Sequence, residues 1–121
     1  MRLSAKLLEH AGYVTAELLT FAQPADAVLS NYFHVQRVGS RERAFIAETA
    51  YTVLRRKRLL ERLAGSAGPR QLVLAALIRF QGVSQRQLGE AVSEQEAAWL
   101  AEIKARPEPA LTLAEQADLP D

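Results

Sequence analysis

Pro69-Arg70-Gln71-Leu72-Val73-Leu74-Ala75-Ala76-Leu77-Ile78-Arg79-Phe80-Gln81-Gly82 is the stretch on which the fold turns. Its centre, Leu72 to Ile78, is apolar at seven consecutive positions. A helix with no polar side has nothing to offer water, so this segment reads as a central helix covered on all sides. Pro69 suits a first helical turn, where its missing N–H costs nothing, and Gly82 marks the end. The apolar run is far short of the ~20 residues needed to span a bilayer.

Outward from that centre the chain supplies amphipathic partners. Leu7, Ala11, Val14 and Leu18 share a stripe, widened by Leu8 and Leu19, in a first helix expected over Leu3 to Phe21. Gly12 weakens that helix by roughly 1 kcal/mol relative to Ala and suggests a close contact. Pro24 opens a second helix with Asp26 in its first turn; Ala25, Val28, Leu29, Tyr32 and Phe33 form its inner face, to about Gln36. Ser40 reads as the cap of a third helix from Arg41 to about Ala64, buried through Ile46, Ala50, Val53, Leu54, Leu60 and Leu63. The run Arg55-Arg56-Lys57-Arg58 covers a full turn, so at least one cation must point toward the core side.

Gly65-Ser66-Ala67-Gly68 is a helix connection. After Gly82, Ser84 with Gln87 and Ser93 with Glu96 read as two capping boxes, each opening a short helix. The second carries Ala97, Trp99, Leu100 and Ile103, and Thr112 with Glu115 reads as the cap of one last turn. Ala, Leu, Glu, Gln and Arg dominate the 121 residues, and strand-forming clusters are scarce. The expected fold class is all-α, a bundle of about five to seven helices.

Charge is uneven along the chain. Residues 37–62 hold eight basic residues against Glu42, Glu48 and Glu61, a balance of +5. The flanks, 1–36 and 63–121, balance to −1 and −3. The middle therefore attracts anions that the last third repels. Seven of those eight cations are arginines, whose planar fork binds phosphate bidentately or stacks on bases. The plainer reading is a solvated charged face, but the cluster is dense and lacks local acids to balance it.

Other chemistry is poorly served. The absence of cysteine excludes disulfides, thiolate metal sites and cysteine nucleophiles, and it fits a reducing, cytoplasmic setting. His10 and His34 have no metal-ligand spacing and read as ordinary surface or interface residues. No phosphate loop, nucleophile elbow or acid–base carboxylate pair stands out, so no catalysis is expected of this chain alone. Gly82-Val83-Ser84 with Leu88 has the outline of a helix-turn-helix. Ile78 is too bulky where that motif wants a small residue, and the second helix offers few cations.

Ala25-Asp26-Ala27-Val28-Leu29-Ser30-x-Tyr32-Phe33, then Gly39-Ser40-Arg41-Glu42-Arg43-Ala44-Phe45-Ile46-Ala47-Glu48, then Tyr51-x-Val53-Leu54-Arg55-Arg56, resemble a known domain. It is the N-terminal domain of bacterial ribosomal RNA cytosine-C5 methyltransferases of the RsmB (Sun/Fmu) family. That domain is similar in fold to the antitermination factor NusB, an all-helical RNA-binding protein. The family usually has Asp where this chain has Glu42, a mild departure because either acid suits a first turn.

The resemblance implies a NusB-like RNA-binding accessory domain over residues 1–106. Residues 107–121 would then be a linker toward an absent methyltransferase domain. It implies that S-adenosylmethionine and a cysteine–cytosine adduct belong to that absent domain, with no cofactor in this chain. The implied partners are ribosomal RNA and the methyltransferase domain of the same parent. The residues expected to contact RNA phosphates are Arg41, Arg43, Arg55, Arg56, Lys57 and Arg58, with Arg37 and Arg62 at the margins. For Arg43 and Arg55 the alternative is pairing with Glu42, Glu48 or an adjoining domain. Two other functions stay open: a module docking the catalytic domain or a ribosomal protein, and a standalone regulator like the antitermination factor.

Overall fold

Gly68 and Pro69 start the central helix and Gly82, at φ +66°, follows its end, so the apolar run is delivered as one uninterrupted cylinder. The computed structural model of the chain describes residues 3–107. Among them are seven α-helices and no strand: α1 Ala5–Leu19, α2 Ala25–Val35, α3 Ser40–Arg55, α4 Lys57–Ala64, α5 Pro69–Phe80, α6 Gln85–Leu88 and α7 Glu94–Ala105. A 3-10 turn, Gly89–Ala91, joins the last two. The all-α bundle of five to seven helices expected from composition is the architecture found. The cap expected at Thr112 and the linker over 107–121 lie, Pro107 apart, outside the described residues.

Every residue from Leu72 to Ile78 is buried. Helices α1, α3, α4 and α7 each pack on α5, while α2 rests against α1. The stripe Leu7, Ala11, Val14 and Leu18 of α1 is buried, as periodicity requires. Ser4 caps α1 by accepting a bond from the Leu7 N–H at 3.1 Å, and the Leu3 N–H donates to the Gln87 carbonyl, anchoring the first turn beside α6. The first helix stops at Leu19, two residues short of expectation, and Phe21 takes a left-handed φ of 55° in the turn toward Pro24.

The largest departure is at Arg56. In place of the single helix expected from Arg41 to Ala64 there are two, separated where Arg56 adopts φ −118°, ψ 26°. The buried stripe Ile46–Ala50–Val53 leads in a straight helix onto Lys57, which stays half-buried beyond the break. The Leu60 N–H donates to the Arg56 carbonyl at 2.9 Å, so the helix resumes at once, and α4 buries Leu59, Leu60, Leu63 and Ala64. Gly39 occupies the cap position expected of Ser40, which is the first residue of α3, and no side chain caps that end.

Both capping boxes form as expected, at Ser84/Gln87 and at Ser93/Glu96. Glu96 has a second task. The Arg70 guanidinium donates to both of its carboxylate oxygens, at 2.7 and 3.0 Å, and to the Ala91 carbonyl, fastening the first turn of α5 to that of α7. This pairing holds the Glu96 carboxyl at about 2, against an ordinary 4.5. At the other end, Arg79 donates to the Lys104 and Arg106 carbonyls at 3.2 and 2.7 Å, and Arg106 donates to the Leu63 carbonyl. The end of α7 is thereby clamped against α4 and α5.

Two measurements check this packing. Gly12 makes no close contact: a Cβ there would meet nothing within 4 Å. Gly12→Ala is therefore expected to stabilise the fold by about 0.5–1 kcal/mol in urea unfolding, whereas a tight packing site would give a loss. Glu96→Gln keeps the capping-box acceptor and removes the charge. Because the folded-state value is depressed, the ion pair stabilises above pH 4.5 and is lost as pH falls toward about 2. With the two side chains 38% and 25% exposed, the expected deficit at neutral pH is on the order of 1–2 kcal/mol. That deficit should shrink toward zero in acid; a deficit equal at pH 7 and pH 2.5 contradicts the assignment.

Candidate nucleic-acid interface

The cations of residues 37–62 gather at the two ends of α3. Arg37, Arg41 and Arg43 stand at its start; Arg55, Arg56, Lys57, Arg58 and Arg62 stand at its end and on α4. The fourteen helical steps from Arg41 to Arg55 span about 21 Å. All eight cations are exposed except Lys57, which is half-buried. The two ends do not merge into one patch. Arg41, Glu48 and Arg55 recur every seventh residue and so share one outward stripe, with the exposed Glu48 carboxylate midway.

Two of the expected contact residues are held by the fold. Arg43 Nε donates to the Val38 carbonyl at 2.9 Å, and its guanidinium carbon lies 5.7 Å from the Phe33 ring centroid. Its pairing is thus with a backbone carbonyl and an aromatic face of α2, rather than with Glu42 or Glu48. Arg56, at the α3–α4 break, places its guanidinium carbon 4.4 Å from the Phe80 ring centroid. Such cation–π contacts orient an arginine while leaving most of its five N–H donors usable. The side chains of Arg37, Arg41 and Arg55 make no hydrogen bond or ion pair among the described residues.

Between the end of α2 and the start of α3 lies an open cleft of about 810 Å³, lined by Ser30, Phe33, His34, Arg37, Gly39 and Arg43. Ser30 and His34 fall at i and i+4 on one face of α2, and Arg37, beyond the extended Gln36 that ends the helix, is brought to the same cleft by the turn. From sequence alone His34 reads as an ordinary surface residue. The spacing is the available signal, but it gains meaning only once Val38 and Gly39 turn α3 back beside α2. Tyr51 helps to set that angle by donating to Asp26 Oδ1 at 2.7 Å, which ties α3 to the first turn of α2.

A second surface feature lies on the α1–α2 side. Tyr13 and Val35 are 62% and 74% exposed and flank a groove of about 480 Å³ that also includes Val28 and Tyr32. Tyr32 joins the two helices there by a hydrogen bond with His10 Nδ1 and an edge-on ring contact at 5.6 Å.

Among the described residues no three His, Asp or Glu side chains are grouped to hold a metal ion, and no helix is long and apolar enough to cross a membrane. The cleft and the basic ends of α3 are suited to holding an extended polyanion through several separate contacts. Comparison with protein-family models, curated proteins and solved structures yields no match to this chain.

Proposed function

We propose that this chain is a NusB-like RNA-binding accessory domain that holds ribosomal RNA for an S-adenosylmethionine-dependent cytosine-C5 methyltransferase domain. The observation that carries the reading is the distribution of cations: eight in residues 37–62, exposed or half-exposed at both ends of one rigid helix. A polyanion with regularly spaced phosphates satisfies two such clusters at once, whereas a single small anion satisfies one. The motifs that resemble the methyltransferase family coincide with α2 and α3, the elements that build this surface.

In this reading Arg41, Arg43, Arg55, Arg56, Lys57 and Arg58 contact phosphates, and none performs chemistry. Arg43 and Arg56 are pre-oriented by Phe33 and Phe80, which lowers the entropy lost on binding. The α3–α4 end also adjoins the C-terminal part of the fold. Phe80, under Arg56, follows Arg79, which holds the Arg106 carbonyl. RNA held there would lie close to whatever succeeds residue 106.

A second reading, a module that docks the catalytic domain or a ribosomal protein, is favoured by exposed Tyr13 and Val35 beside their groove. Titration of a ribosomal RNA stem–loop at several salt concentrations separates the two. Replacing Arg55, Arg56, Lys57 and Arg58 by Ala is expected to weaken RNA binding and to lower the salt slope by about 0.7–0.9 for each phosphate the variant no longer neutralises. No RNA affinity in the unsubstituted protein, or an unaltered slope in the variant, leaves the docking reading in place.

A further inference from the structure

The cleft between α2 and the start of α3 differs from the α3–α4 corner in kind as well as position. At the corner, cations crowd together on exposed side chains. In the cleft, cations, a hydroxyl, an imidazole and an aromatic ring line one open trough of about 810 Å³. Phe33 is half-buried, with the Arg43 guanidinium over its ring at 5.7 Å, so together they offer flat surface rather than charge alone. Arg43 is itself fixed by its bond to the Val38 carbonyl, so the wall exists before any ligand arrives.

The α3 N-terminus is not the anion seat. A Cβ built on Gly39 would meet the Glu42 carboxylate at 2.6 Å, so an acid of the chain already lies against that helix end. Negative charge entering the cleft must be met by side chains, and Arg37, whose guanidinium has no bond among the described residues, stands at its edge.

Resting on the RNA-binding reading above, we propose that this cleft seats one unpaired nucleotide of the bound RNA. Arg37 takes the phosphate through its planar fork. Ser30 and His34 hydrogen-bond to the ribose hydroxyls or the base edge, and the base lies against Phe33 and the Arg43 guanidinium plane. Unpaired bases are recognised in this way, by stacking on aromatic and guanidinium faces, whereas a base held inside a duplex cannot enter a concavity. The site therefore adds a preference for loops or bulges that the cations of the α3–α4 corner do not supply.

The test compares a stem–loop RNA with a blunt duplex of the same stem, each titrated against the whole chain and against a His34→Ala, Arg37→Ala double variant. Both side chains are exposed, and a thermal melt checks that the variant folds. The expected result is roughly a tenfold loss of stem–loop affinity, the scale of one charge-assisted hydrogen bond, and a clearly smaller loss for the duplex, which forfeits only the general attraction of one cation. Equal losses for both RNAs, or no loss for either, overturn the nucleotide site while leaving RNA binding intact. Absence of binding by the unsubstituted protein fails the underlying RNA reading instead. Cytidine monophosphate binding as tightly as the stem–loop also overturns the proposal, by assigning the cleft to a free nucleotide.

Discussion

Burial of Leu72 to Ile78 on every side is the constraint on which the other elements depend. A helix without a polar face is stable in water only when neighbours surround it, and each neighbour must bring its own apolar stripe. Helices α1, α3, α4 and α7 do so, and their outer faces are then free to carry charge. Helix α2, resting on α1 rather than on α5, is held by the buried Val28 and Leu29 and oriented by specific links: Tyr51 to Asp26, His10 to Tyr32, and Arg43 across Phe33. Those links are what shape the cleft at its C-terminal end.

The same constraint sorts the positive charge. The core stripe of α3 runs into Lys57, the one half-buried cation of the cluster. Beyond the interruption at Arg56, α4 buries Leu59, Leu60 and Leu63 and leaves Arg58 and Arg62 exposed. The two aromatic residues at either end, Phe33 and Phe80, each lie beneath an arginine. The surface thus has two basic stations about 21 Å apart with a carboxylate, Glu48, between them on the outward stripe.

Much of this is legible in the sequence because it rests on local chemistry. The apolar run, the proline and glycine punctuation of α5, and the capping boxes at Ser84 and Ser93 each act within a few residues. The break at Arg56 is half-visible. Four successive cations on a helix with a continuous core stripe are in conflict, and Lys57, the one on that stripe, stays half-buried, but the backbone interruption just before it is not written in the local pattern. Gly12 misleads because glycine in a helix suggests close packing, and here the space is open. The cleft is not legible at all. It depends on the angle between α2 and α3, set by contacts such as Tyr51–Asp26 across 25 residues of sequence. The partners of Arg43 are likewise hidden, since Phe33 and the Val38 carbonyl compete with the adjacent Glu42 and with Glu48, which is as near in sequence as Val38.

The central claim is that RNA lies along α3 and touches both of its basic ends. Backbone-amide NMR spectra recorded while a ribosomal RNA stem–loop is added test it most directly. The largest shifts are expected at residues 37–43 and 55–58, with the first turn of α7 scarcely affected. Shifts confined to the Tyr13–Val35 groove, or no shifts at saturating RNA, would contradict it.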